Sequence, residues 1–272
     1  MHEKNKKLPL GDIWKMTVRK ENIAENFSRS SFSYAEHAFV QKRAAGKLYD
    51  MLNNLNPQPE KIIEIGCGTG FLTEKLFAGF PEASFLICDL SDEMLKRCKT
   101  ENPELRGNVV YKACDALDAL AFPETFDLAV SGLTFQWMED TLPVVIKNIY
   151  EKLNHGGALA FSTLTDKTFP KLREAFASAG SIFPGPQLYP AQDIRSMCSI
   201  FETCRFSEET EYVDFASPLD FLRHIKRTGA GNASGKPIPP SILKKAIEYL
   251  AGENNGTLRE EYHLMFCYLK KS

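Results

Sequence analysis

The chain has 272 residues and a formal net charge of −2, the balance of an ordinary water-soluble globular chain of one domain with additions. It lacks the basic field that a nucleic-acid binder spreads over a domain or a face, and no apolar run approaches the roughly 18 residues of a bilayer-spanning helix. Seven scattered cysteines with no CxxC pair form neither a disulfide framework nor a zinc site, which points to a reducing, cytoplasmic setting.

Residues 1–20 read as a loose polar leader with Ile13 and Trp14 as anchors; no apolar stretch follows its basic start, so it is not a signal peptide. From 20 to 55 the pattern is helical. Ala38, Val40, Ala44, Ala45, Leu48, Met51 and Leu52 form one apolar stripe, which Asn53, Asn54, Pro57 and Pro59 stop. Strands are then predicted at 61–65, 84–88, 109–112, 126–130 and 158–163, with helices at 71–80, 92–99 and 142–153 between them. Ser91 caps the second of these helices, with Asp92 and Glu93 in its first turn. Asn154-His155-Gly156-Gly157 ends the third. Such alternation builds a parallel sheet covered on both faces. The tail departs from it, with helices at 169–179, 193–200, 219–227 and 242–250, a Gly-, Ser- and Pro-rich loop at 229–240, and strands at 211–215 and 261–269. The expected plan is a flexible leader (1–20), an N-terminal helical lid (21–56), and one α/β domain (57–272) with a helical insertion at about 180–250.

Glu64-Ile65-Gly66-Cys67-Gly68-Thr69-Gly70 follows the first strand of that domain. Glycines there let the backbone approach a ligand at a strand end, where open α/β sheets bind ligands. A dinucleotide fingerprint is ruled out because Phe71 stands where its last glycine belongs, and a P-loop because no Lys-Ser/Thr follows. The remaining pattern, E-x-G-x-G-x-G, resembles motif I of class I methyltransferases. The resemblance implies a Rossmann-like, mostly parallel seven-stranded sheet, S-adenosyl-L-methionine as cofactor, S-adenosyl-L-homocysteine as product, and no metal. Glu64 would help hold the methionine end. Asp89, roughly 20 residues after the loop, would take the ribose hydroxyls. Asp115, with Ala116, would meet the adenine amino group, and Met94 would flank the adenine face. The expected cofactor set is Glu64, Gly66, Cys67, Gly68, Gly70, Asp89, Leu90, Met94, Asp115, Ala116 and Ser131. Taken singly, Asp89 could only cap the following helix and Asp115 could be a turn residue.

Other segments bear on the methyl acceptor. Phe27, Arg29, Tyr34, Ala38 and Gln41 fit F-x-R-x-x-x-x-Y-x-x-x-A-x-x-Q. Ser131-Gly132-Leu133-Thr134-Phe135-Gln136-Trp137 is similar to S-N-L-x-x-Q-W, and Phe161-Ser162-Thr163-Leu164 to F-x-T-L. The run from Leu222 to Ala230 resembles L-R-x-x-K-x-x-G-A, and Tyr262-His263 opens the last strand. Together these resemble the malonyl-acyl-carrier-protein O-methyltransferases of biotin synthesis. Gly132, Ser30, Ser31 and Thr228 depart from that pattern.

The acceptor this implies is the free carboxylate of a malonyl thioester on acyl-carrier protein. Such a carboxyl has a pKa near ~4, so it is ionised at neutral pH and needs no general base. The enzyme's work is alignment and exclusion of water, and a buried carboxylate must be paired, for which a guanidinium suits. The expected positioning residues are Arg223, then Lys226, for the carboxylate, Tyr34 and Gln136 for hydrogen bonds, and Trp137 as a wall. His37 and His263 are expected to be structural. Lys42, Arg43, Lys47, Arg227, Lys236, Lys244 and Lys245 are candidate contacts for the acidic carrier protein, although scattered lysines are usually a solvated face. A carboxyl methyltransferase of a small free polycarboxylate is the alternative; neither reading involves nucleic acid or a membrane.

Overall fold

The computed structural model describes residues 10–103, 108–121, 123–228, 237–252 and 256–272. The side chains of Ile13 and Trp14, and residues Gly229, Ala230 and Lys236, lie outside the described residues.

Helix α1 (Leu10–His37) begins within the stretch read as a leader, and α2 (Phe39–Leu55) follows after Ala38 alone. Ala38, at φ −85° and ψ 43°, leaves the helical region and splits the single helix expected from periodicity. The stripe on α2 packs as predicted: Val40, Ala44, Ala45, Leu48 and Leu52 are buried.

The alternating part runs β1 (Lys61–Ile65), α3 (Phe71–Gly79), β2 (Ser84–Asp89), α4 (Asp92–Glu101), β3 (Val109–Ala113), α5 (Ala116–Ala119), β4 (Phe126–Gly132), α6 (Leu142–Lys152) and β5 (Leu153–Leu164). The tail adds α7 (Pro170–Ser178), α8 (Ala191–Met197), β6 (Thr203–Phe215), α9 (Pro218–Arg227), α10 (Pro240–Gly252) and β7 (Leu258–Lys270). The seven strands form one sheet in the order β3-β2-β1-β4-β5-β7-β6, and only β7 runs against its neighbours. β1 is the centre of the doubly wound half, and chain direction across the sheet reverses between it and β4.

The period of two in the strands divides the core. Ile62, Phe85, Ile87, Leu128 and Val130 face a cluster with α2, α3, α7 and α9, whereas Ile63, Ile65, Ala129, Leu159 and Phe161 face one with α6 and α8. Both faces are covered, which is why these strands read as continuous apolar runs.

Two boundaries differ from expectation for physical reasons. Asn154-His155-Gly156-Gly157 is not a helix stop but the opening of β5, because α6 already ends when Leu153 turns to extended backbone. β6 is far longer than the 211–215 strand expected. All thirteen of its residues pair with β7, but the strand is an exposed sheet edge carrying Glu208, Glu209 and Glu211. Little of it is buried, so it carries no apolar alternation to be read. Among the described residues, no helix is long and apolar enough to cross a membrane.

Candidate active site

The carboxyl ends of β1 and β4, where the connections part, open onto a cavity. Gly66, Cys67, Gly68 and Thr69 form its floor, and Asp89, Leu90, Met94, Asp115 and Ala116 form one side. Ile23, Phe27 and Tyr34 of α1 close it from above.

The loop is held by Asp89. Its Oδ2 accepts from the Gly68 amide at 2.8 Å and its Oδ1 from the Ser91 amide at 2.8 Å. The helix-capping role weighed for this acid falls instead to Ser91, whose hydroxyl accepts from the Met94 amide. Burial pushes the Asp89 carboxyl up to about 6, against the backbone donors that lower it. Gly68 has φ +55°, and a Cβ there would meet nothing within 4 Å; it would project into the ligand space. Gly70 has a different task. It does not line the cavity, and a Cβ on it would meet Asn102 Nδ2 at 2.3 Å, so it lets α3 start close against α4.

Glu64 lies at the floor, 1% exposed, and accepts a 2.7 Å hydrogen bond from Thr73 of α3. Burial raises its carboxyl to about 8, with the Thr73 bond opposing and the Asp89 charge adding to the rise. A buried carboxyl in this state is a receptor for a cation. The Thr69 hydroxyl, in the lining of the same cavity, is buried with no protein partner. A cavity edged by acids at three strand ends, floored by a glycine loop and containing an orphaned hydroxyl fits a nucleoside-bearing cation such as S-adenosylmethionine.

Asp115 is more occupied than its sequence position suggests. Its Oδ1 caps α5 through the Leu117 amide at 3.0 Å, and its Oδ2 pairs with Lys20 of α1 at 3.0 Å. The Ser28 and Ser91 hydroxyls, 2.8 Å apart, tie the same helix to α4. Ser131 does not line the cavity: it is fully buried and donates to the Ile65 carbonyl, bracing β4 against β1.

A second cavity shares Phe27, Tyr34, Gln41, Leu133 and Trp137 with the first. Phe27 packs edge-to-face on Trp137, with ring centroids 5.2 Å apart. Tyr34 stands at the shared wall, and burial followed by the Asp89 charge holds its hydroxyl protonated well above the usual phenol range. Gln136 lines the second cavity but spends both ends of its amide on the protein, donating to the Leu133 carbonyl and accepting from Thr163. It thereby braces the turn in which Leu133 takes φ +49°, a strained conformation of the kind that gathers at functional sites.

The structure does not bring Arg223 or Lys226 to either cavity. Phe221 and Ile225 turn inward on α9, so Arg223, midway between them, lies on the opposite face. It is 58% exposed and paired with Asp220 at 3.1 Å. Both residues border a separate outer groove. The cation in the second cavity is Arg173 of α7, which no sequence pattern singled out. The only hint was a basic residue in a helix's first turn, against the helix dipole. Phe27 and Gln41 were visible within the N-terminal pattern, but not as cavity walls.

His263 bonds Thr165, and His37 contacts Arg227; neither lines either cavity. Several docking candidates are engaged on the surface: Arg43 with Glu211, Lys47 with Glu209 and Lys244 with Glu248. Among the described residues, no cluster of three or more His, Cys, Asp or Glu could hold a metal ion.

Fold and site together define a class I S-adenosylmethionine-dependent methyltransferase. The methyltransferase-domain family matches residues 62–157. The YcgJ protein of Bacillus subtilis superposes with a TM-score of 0.58 at 15% identity, covering 82% of this chain and 97% of its own. The N-methyltransferase NodS of Bradyrhizobium japonicum, solved with S-adenosyl-L-homocysteine, gives 0.52 at 17% identity, covering 92% and 100%. More specific are relatives named malonyl-acyl-carrier-protein O-methyltransferase. That of Magnetococcus marinus is 31% identical, covering 93% of this chain and 94% of the relative. That of Bacillus cytotoxicus is 28% identical, covering 93% of each. The chain belongs to the malonyl-acyl-carrier-protein O-methyltransferase family.

Proposed function

We propose that this enzyme transfers a methyl group to the free carboxylate of a malonyl thioester carried on acyl-carrier protein, giving the methyl ester used in biotin synthesis. The observation that carries the proposal is the pair of contiguous cavities, one floored by the glycine loop and acids, the other largely apolar with one guanidinium. Kinship along nearly the whole chain supports the same reading.

S-adenosylmethionine, when bound, supplies a sulfonium methyl that a carboxylate oxygen takes as the C–S bond breaks, the electron pair staying on sulfur. No proton moves, so no side chain need act as a base. Glu64 and the loop amides would hold the amino-acid end, and Asp89, Leu90 and Met94 the nucleoside. Phe27, Trp137 and Leu133 at the shared wall exclude water, which matters because a hydrated carboxylate is a weak nucleophile. The Tyr34 hydroxyl, held protonated, can donate to an acceptor oxygen arriving from the second cavity. All seven cysteines are free thiols, in keeping with a reducing cytoplasm.

The test is mass spectrometry of malonyl-carrier protein incubated with enzyme and S-adenosylmethionine. One added methyl, removable by mild base as an ester, is the expected result. Parallel reactions on malonyl coenzyme A and on free di- and tricarboxylates measure the role of the carrier. Faster turnover of a free acid would overturn the proposal.

A further inference from the structure

We infer that Arg173 is the residue that grips the malonyl carboxylate and so distinguishes malonyl from uncharged acyl thioesters. This rests on the reading just given and adds the identity of its acceptor anchor.

Arg173 projects from α7 into the second cavity, where it is the only Lys or Arg among the described lining residues. Its surroundings are apolar: Phe169, Phe183, Leu188 and Ile225 line the same space. Burial lowers the basicity of its guanidinium, and the Asp166 charge only partly opposes this. Among the described residues no carboxylate lies within ion-pair distance of it, unlike Arg223, Arg195 and Arg259, which all have acidic partners. Arg173 is half-buried, and drawing a guanidinium even partly out of water without a counter-ion has a cost. A protein folds around that cost when a ligand brings the missing negative charge.

Its geometry suits a carboxylate. Nε donates to the Thr168 carbonyl at 2.9 Å, which sets the plane of the guanidinium and leaves both terminal nitrogens to donate in parallel. That fork matches the two oxygens of a carboxylate. The cavity it lines adjoins the cofactor cavity, with Tyr34 and Trp137 in the wall common to both. Gln41 at the shared wall has a buried side-chain oxygen with no partner, a second polar contact open to the acceptor. A free acid would satisfy Arg173 equally well, so the anchor explains preference for the charged acyl group rather than for the carrier.

The test uses the full-length enzyme, Arg173→Met and Arg173→Lys. Methyl transfer to malonyl-pantetheine is measured beside calorimetry with S-adenosylhomocysteine, and then with malonyl- and acetyl-pantetheine added to that complex. For Arg173→Met, kcat/KM should fall roughly 30- to 1,000-fold, with S-adenosylhomocysteine affinity within about twofold of wild type. The preference for malonyl over acetyl in binding should drop to near unity, a readout that a merely structural role would not move. Arg173→Lys, which keeps the charge but not the fork, should recover part of both. Malonyl preference unchanged in Arg173→Met, or kcat/KM within about threefold of wild type, overturns the assignment while leaving the function intact. Wild-type enzyme that binds S-adenosylhomocysteine yet methylates no malonyl thioester overturns the function and the anchor together. Should Arg173→Met also lose S-adenosylhomocysteine affinity, Arg173→Lys decides: a weakened malonyl preference supports the anchor and an unchanged one overturns it.

Discussion

The floor of the cofactor cavity takes its shape from six consecutive residues, Glu64 to Thr69, steadied by an acid at the end of the adjacent strand. The second cavity draws its walls from α1, α2, the turn after β4, β5, α7, α9 and β7. The first presents backbone amides and glycine space, while the second presents side chains from distant parts of the chain. A backbone site is sensitive to what is added to it, and a side-chain site to what is removed. The two should therefore fail in different ways.

The largest effect expected is at the loop. Gly68→Val places a branched side chain in the ligand space at a positive φ, and S-adenosylhomocysteine affinity by calorimetry should fall more than about 100-fold. Affinity near that of wild type would dissolve the distinction between the two cavities.

Next comes a proton-linked effect at the same floor. Glu64, raised to about 8 by burial, is largely neutral at pH 6 in the ligand-free protein. A cationic ammonium favours its ionised form, so binding below pH 8 releases a proton. Affinity should climb as pH rises from 6 to 8, by up to about tenfold per unit, and level off above. Glu64→Gln should flatten that rise; a slope that survives would assign the linkage elsewhere.

At the shared wall, Tyr34→Phe removes one donor and little volume. Methyl transfer to malonyl thioester should slow about tenfold, the worth of a hydrogen bond to a charged group, with cofactor affinity unchanged. Loss of affinity instead would make Tyr34 part of the cofactor half.

The smallest effect is at Arg223, whose charge is solvent-exposed and paired with Asp220. Arg223→Ala should change turnover of malonyl-pantetheine by less than about twofold. A large loss there would restore Arg223 as the carboxylate anchor against Arg173.

The parallel half of the fold was legible because strand burial on both faces and amphipathic helix stripes are short-range patterns. The edge strand β6 was not, since its stability comes from pairing with β7 rather than from burial of its own side chains. Asp89 was legible by its place at a strand end, yet its grip on the Gly68 amide appears only once β1 and β2 lie side by side.

The amino-acid sequence by itself determined the order of elements, the glycine loop and the kind of cofactor, because these depend on local hydrophobic period and on backbone freedom at a few positions. Tertiary structure alone decided which arginine lines the second cavity. Arg173 and Arg223 both sit on short amphipathic helices, and either could have been the anchor by chemistry. What separates them is the direction in which each packed helix turns its side chain. On α9 the inward pair Phe221 and Ile225 sends Arg223 to solvent, whereas α7, packed beside β7, carries Arg173 along the cavity wall.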